Sequence, residues 1–260
     1  ALKLDFSLPF KHLYMETGVS FSAIRNKTSL MLENLANGQW RYNADESNEF
    51  LYKERTLAAY LSAKKLLTEK LQLQAGLRYE HTWTESNQLT QRQINRSHYG
   101  RFYPTLHLNW QLKDNQNLAL AANWGIERPN FNDLNPFRIY TSTTDYMTGN
   151  PYLTAAYTRN VEINYSNGKG LYAVLYNNHG KGEIGWRTQF LENGSQITGP
   201  YDGLRHEKTG IYANYNRNVL TWLNLNIGGE IYYYDSHSDY QTNVLQIHGW
   251  GKRAEGSLSF

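Results

Sequence analysis

Apolar and polar residues alternate with a period of two along most of this chain. Leu2, Leu4, Phe6 and Leu8 are separated by Lys3, Asp5 and Ser7. Leu71, Leu73, Ala75, Leu77 and Tyr79 are separated by Gln72, Gln74, Gly76 and Arg78. The same rhythm carries Leu106, Leu108 and Trp110, then Leu118, Leu120, Ala122 and Trp124, then Leu223, Leu225 and Ile227. Looser versions occupy 13–23, 57–63, 161–165, 171–176, 209–215 and 250–260. Successive side chains of a strand point to opposite faces, so this pattern calls for a sheet with one apolar and one polar face. It predicts an all-β chain of about eleven antiparallel strands.

A soluble sandwich, which buries one face of each sheet, gives the same alternation. The connections separate the two cases. Tight links at 9–12, 67–70, 113–117, 166–170 and 217–221 alternate strictly with long polar segments near 25–50, 83–99, 127–157, 177–206 and 235–249. Ordinary compact domains favour links of about four to six residues. Outer-membrane barrels have short turns on the periplasmic side and longer loops outside. The rhythm therefore predicts an antiparallel transmembrane β-barrel. A mean hydropathy of −0.68 does not oppose this, because only alternate barrel residues face lipid. The apolar runs are far too short for a membrane-spanning helix, which needs about 20 residues. The 21 Tyr, 7 Trp and 9 Phe fall often near strand ends, among them Tyr52, Trp83, Phe102, Trp110, Trp124, Trp222 and Trp250. They read either as interfacial girdles or as ordinary cross-strand pairs.

Several chemistries are disfavoured. The net charge of +3 comes without a basic tract, so nucleic acid is not implied. Cysteine is absent, which removes disulfides and thiolate chemistry. The eight His are scattered and form no helical metal-binding pair with Glu. Asp235-Ser-His-Ser-Asp239 offers alternating ligands but reads first as a solvated loop tip. The Asn-x-Ser/Thr tripeptides at Asn26, Asn95 and Asn193 read as coincidence. No catalytic constellation stands out, so the expectation is a non-enzyme without cofactor or metal.

Phe50-Leu-Tyr-Lys-Glu54, Gln74-Ala-Gly-Leu-Arg-Tyr-Glu-His-Thr82, Phe102-Tyr-Pro-Thr-Leu106, Ile126-Glu-Arg-Pro-Asn-Phe-Asn-Asp-Leu-Asn-Pro-Phe137 and Gly149-Asn-Pro-Tyr-Leu153 follow one another in that order. This series resembles the C-terminal barrel of Bacteroidetes-type TonB-dependent outer-membrane receptors, most densely over 48–165. The resemblance implies a barrel of about 22 strands closed around an N-terminal plug. Residues 1–260 then read as a partial barrel domain, about half of the whole, with no plug. The chain starts directly on a strand pattern, as a mature form or an internal segment would. The aromatic Phe260 reads as a chance match to the terminal aromatic of complete outer-membrane proteins.

By resemblance, the whole protein takes up an iron chelate, a cobalamin, a glycan or a peptide at the bacterial outer membrane. Its partners would be outer-membrane lipid, its own plug, the TonB complex and a surface lipoprotein. The alternatives are a plug-less passive pore or structural barrel, or a secreted β-sandwich that binds polysaccharide. In this register Arg78, Glu80, His107, Asn109, Asn123, Glu127, Glu162, Asn164, Asn226 and Glu230 share the inward face. There they line a substrate path, meet a plug, or merely hydrate the wall. The 127–157 segment is the most distinctive, with Arg128-Pro129, Asn135-Pro136, Tyr140 and Asn150-Pro151. Proline presets its backbone, so the segment should be shaped, either for ligand capture and gating or for packing over the mouth. The ligand candidates are Arg78, Glu80, His107, Asn109, Glu127, Arg128, Asn135, Tyr140 and Asn150.

Overall fold

A computed structural model describes residues 1–44, 46–90, 92–238 and 245–260. Eleven long strands form one antiparallel sheet, each hydrogen-bonded to its neighbours in sequence order. They are β1 (Leu2–Phe10), β2 (Leu13–Leu30), β5 (Asn48–Thr68), β6 (Leu71–Gln88), β7 (Gln93–Lys113), β8 (Gln116–Glu127), β11 (Ala156–Ser166), β12 (Leu171–Phe190), β13 (Gln196–Leu220), β14 (Leu223–Ser238) and β15 (Gln246–Ser259). A small separate hairpin, β3 (Glu33–Ala36) with β4 (Gln39–Tyr42), lies between β2 and β5. A short helix α1 (Phe131–Leu134) and the strands β9 (Ile139–Tyr140) and β10 (Tyr146–Met147) lie between β8 and β11. Among the described residues β1 pairs only with β2 and β15 only with β14, so the sheet is open and has two edges.

Four tight turns stand where the sequence puts them. The fifth shifts from 217–221 to 221–222 because β13 stays paired with β14 up to Leu220↔Leu223. Turn chemistry is local. In the β11–β12 turn the Asn167 side chain accepts from the amides of Lys169 at 2.8 Å and Leu171 at 3.0 Å. Gly170 follows with φ of 107°, a region that side chains with a Cβ avoid.

The long connections differ from the sequence expectation. Segments 83–99 and 177–206 are mostly strand: β6 and β7 stay paired up to Gln88↔Gln93, and β12 and β13 up to Phe190↔Gln196. The 25–50 segment contracts to 31–47 because β2 and β5 remain paired up to Leu30↔Asn48. Hydrophobic alternation ends where one face no longer needs to be apolar. Ladder pairing continues because it satisfies backbone groups on polar strands equally well. Asp235 to Ser238 lie within β14 rather than on a loop tip, and Asp239 falls outside the described residues.

Exposure is inverted relative to a soluble domain. On one face Glu80 is 9% exposed and Thr82 fully buried, with Glu54 and Thr56 each at 9%. On the other, Leu57, Leu61, Leu77 and Phe102 are 48–62% exposed. The cross-strand pairs Thr105↔Asn123, Asn123↔Asn160, Asn160↔Asn178 and Asn178↔Lys208 carry one polar row across five strands. Water would not tolerate so broad an apolar face, whereas lipid requires one. Among the described residues no helix is long and apolar enough to cross a membrane. The buried apolar core is small and lies at the end away from the tight turns. There Phe50 and Tyr52 pack with Leu134, Phe137 and Leu153.

Candidate functional site at the barrel mouth

Residues 128–155 fold back over the polar face rather than projecting from it. Asn130 caps α1 by accepting from the Asn132 amide at 3.0 Å. The helix ends against Gly149 and Asn150. The Gly149 amide donates to the Asn135 carbonyl at 3.0 Å, and the Asn150 amide to the Asp133 carbonyl at 2.6 Å. A Cβ at Gly149 would overlap both carbonyl oxygens. The Leu-Asn-Pro and Gly-Asn-Pro motifs, about fifteen residues apart, thus close one compact turn structure. It seats Leu134, Phe137 and Leu153 on Phe50 and Tyr52 of β5, with the Phe131 ring tilted against Phe50 at 5.7 Å.

Arg128 is the electrostatic centre of the seam. Its Nη2 donates to Glu80 Oε2 at 2.6 Å and to Thr82 Oγ1 at 3.0 Å. Its Nε stands 3.7 Å from Glu54 Oε1. Arg78 Nε holds the other oxygen of Glu80. Tyr52 donates its hydroxyl to Glu54 at 2.8 Å, and Thr56 meets Thr82 at 3.1 Å. Two carboxylates and two guanidiniums therefore share a shielded patch where β5 and β6 meet the returning loop. Removing one member would leave a shielded charge without its partner.

The loop has further moorings. β10 pairs in parallel with β13 through Tyr146↔Ile197 and Met147↔Thr198. The Gln196 amide donates to Asp145 at 2.9 Å. The Thr154 amide donates to Asp202 at 3.0 Å, and Asn95 of β7 donates to the Pro151 carbonyl at 3.1 Å. The Asp145 carboxyl lies below its ordinary range because the Gln196 amide and the Ser142 hydroxyl bond its charged form. Of the two readings open to this segment, packing over the wall is the one its contacts support. Two clefts flank it. One of about 650 Å³ is lined by Glu127, Arg128, Asp133, Glu183 and Trp186, and the other of about 240 Å³ by Tyr52, Tyr99, Pro129 and Tyr152.

All ten inward candidates lie on the polar face, because the ladders carry that face without interruption from β6 to β14. Only some of the ligand candidates come together. Arg78, Glu80 and Arg128 are joined, and Glu127 opens onto the neighbouring cleft. Asn135 and Asn150 hold the loop's own turns, and Asn135 Oδ1 is buried without a partner among the described residues. Tyr140 sits on the β9–β10 hairpin, its ring 5.6 Å from Tyr146. His107 and Asn109 are exposed and distant in register from the seam, and Asn109 borders a cleft with Gln72 and Lys70 near the tight turns. Sequence reasoning missed Glu54, Thr82, Asp145 and Asp202. Glu54 and Thr82 sit within quoted motifs and at inward positions of their strands, so that signal was present; Asp145 and Asp202 carried none.

The sequence profile of the outer membrane protein beta-barrel family matches residues 1–260. The chain belongs to that family. This places it in the bacterial outer membrane, as the inverted exposure of its sheet requires. No curated protein matches the sequence. Among solved structures, the sheet is similar to the copper transporter OprC, with a TM-score of 0.61 and 14% identity over 98% of this chain and 41% of that one. A mutant ferric enterobactin receptor PfeA from Pseudomonas aeruginosa gives 0.56 and 15%, over 95% of this chain and 40% of that one. The ferric yersiniabactin uptake receptor FyuA from Yersinia pestis gives 0.54 and 14%, over 98% of this chain and 45% of that one. At such identities the likeness is one of fold. This member of the outer-membrane barrel family spans less than half the length of each of those chains.

Proposed function

We propose that this chain forms part of the wall of a TonB-dependent receptor that actively imports a scarce nutrient, an iron chelate, a cobalamin, a glycan or a peptide. The observation that carries the reading is the loop 128–155 moored through Arg128 to Glu80 and Thr82 on the polar face. It fixes polar clefts at the outer end of the wall, where an incoming ligand is met first. Family membership and the fold shared with metal and siderophore receptors support transport rather than catalysis. The motif series from Phe50 to Leu153 supports the Bacteroidetes-type lineage, with a plug and the TonB complex as partners. A surface lipoprotein joins them if the cargo is a glycan.

The test is uptake by the full-length protein in its own bacterium, with a labelled panel of those four nutrient classes. One class should accumulate in cells that carry the gene and fail to accumulate in the deletion strain. That accumulation should stop when TonB is removed or the proton gradient is collapsed. Uptake that survives both treatments would identify a passive pore instead.

A further inference from the structure

The apolar face of the first strands ends in a row of cations. At the end of the sheet away from the tight turns, the ladder places Arg25, Lys53, Glu85 and Arg96 opposite one another across β2, β5, β6 and β7. One step towards the membrane, the next row on the same face is Ala23, Arg55, Trp83 and His98. Below that come Phe21, Leu57 and His81, then Val19, Ala59, Tyr79 and Phe102. Here apolar surface, a tryptophan level and a cationic level follow in order along a single face. The His81 ring lies 4.3 Å from Trp83 and 5.7 Å from His98, which makes the aromatic level continuous.

Glu85 is the one acid in the cationic row. It is already engaged, 2.9 Å from both Lys53 Nζ and Arg96 Nε. Arg25 and Arg55 are exposed and have no acidic partner among the described residues. A cleft of about 330 Å³ opens between the two rows, lined by Lys53, Arg55, Trp83, Glu85, Arg96 and His98. Four cations against one anion leave a surplus of positive charge on a lipid-facing surface, at the height where head groups begin.

We propose that this face holds the phosphate groups of an anionic glycolipid of the lipid A class in the outer leaflet. Its acyl chains lie along Phe21, Leu57 and Phe102, and its phosphates meet Arg25, Arg55 and the Lys53–Arg96 pair. Guanidinium groups suit this role because their fork matches phosphate oxygens in pairs. The aromatic level beneath them sits at the depth where amphipathic rings settle in a bilayer. The site faces away from the polar interior and does not depend on the transport reading.

The experiment uses the full-length protein in detergent, titrated with lipid A, with dephosphorylated lipid A and with inorganic phosphate, and read by native mass spectrometry. Each juxtamembrane cation contributes about fivefold to the affinity for an anionic lipid surface. The double variant Arg25→Gln/Arg55→Gln should therefore bind lipid A about 25-fold more weakly. Glu85→Gln, which removes the only anion of the row, should bind it more tightly. Dephosphorylated lipid A should bind wild type and double variant alike, and inorganic phosphate should not compete at millimolar concentration. Retention of the usual gel shift between folded and heated barrel would show that the variants fold. Equal binding of lipid A by wild type and double variant would overturn the proposal. So would equal binding of phosphorylated and dephosphorylated lipid by wild type. Competition by free phosphate would assign the site to a soluble anion and likewise overturn it.

Discussion

Arg128 is the residue on which the seam depends. Glu80 and Glu54 are shielded by the wall and the returning loop, and both stand beside this guanidinium. Replacing Arg128 with Met keeps much of the side-chain volume but leaves Glu54 without its cation and Glu80 with Arg78 alone. Loss of one partner from a buried ion pair costs about 3–5 kcal/mol. Arg128→Met should therefore release the 128–155 loop to protease while the wall stays folded, as limited proteolysis followed by gel shift would read. An unchanged cleavage pattern would show that the apolar contacts to Phe50 and Tyr52 are sufficient alone. Gly170 makes a separate case, because a Cβ there would overlap the Asn216 carbonyl in addition to the strain of a positive φ. Gly170→Ala should slow barrel assembly in vesicles, and Gly249→Ala, where a Cβ meets nothing, should not. At this scale the sequence was partly legible. Arg78 and Glu80 were readable as inward charges, because the parity of a strand fixes which face a residue takes, whereas Arg128 was readable only as part of the distinctive 127–157 segment. Their meeting with Glu54 was not, because it depends on a loop returning across the sheet.

The elements show where periodicity stops being informative. Strand ends near the tight turns lay close to where the alternation stops, and at 167–170 asparagine and glycine mark the turn chemically as well. The opposite ends did not, because β6, β7, β12 and β13 continue as polar hairpins in which neither face is apolar. The bulge around Gly182, where φ is 77° and the register shifts between Lys181 and Glu183, has a similar effect. It brings Glu183 to His206 at 2.6 Å, an encounter that strict alternation does not give. The β9–β10 hairpin, too short for any periodic signal, is fixed by main-chain pairing to β13 and by Asp145. The Asp145 carboxyl is lowered in the folded state, first by the Gln196 amide and then by Ser142. A depressed carboxyl stabilises the folded form at pH above its unfolded value. That stabilisation is lost as pH falls through the lower folded value. The peptide 139–147 should exchange amide hydrogens faster below about pH 3 than at pH 5 after correction for intrinsic rates, because an unperturbed Asp titrates near 3.9. Asp145→Asn should abolish that difference. A flat profile in the wild-type protein would rule out this mooring as pH-sensitive.

On the scale of the whole molecule, one inversion explains the composition, the hydropathy and the fold together. A soluble sheet of this size would bury Leu57, Leu77 and Phe102 and expose Glu80 and Thr82, and here the exposures are reversed. The mean hydropathy stays low because half of every strand faces a polar interior, so averages hide what alternation reveals. The strand number was legible for the same reason: each pass across the membrane needs its own apolar set. What closes the sheet was not legible, since the edges β1 and β15 carry no mark that distinguishes them from interior strands. The two faces should respond in opposite ways to the same charge. Leu77 lies on the apolar face about midway between the tight turn at 68–71 and Trp83. A lysine at mid-depth on a lipid-facing strand costs about 2–4 kcal/mol, so Leu77→Lys should lower folding stability in vesicles by that amount. Gln74→Lys, on the polar face of the same strand, should change it by less than about 0.5 kcal/mol. Reversible denaturant titration of both variants, followed by tryptophan emission, measures the difference. Equal losses would mean that both faces of β6 meet the same surroundings, which only a soluble sheet or a collapsed barrel could provide.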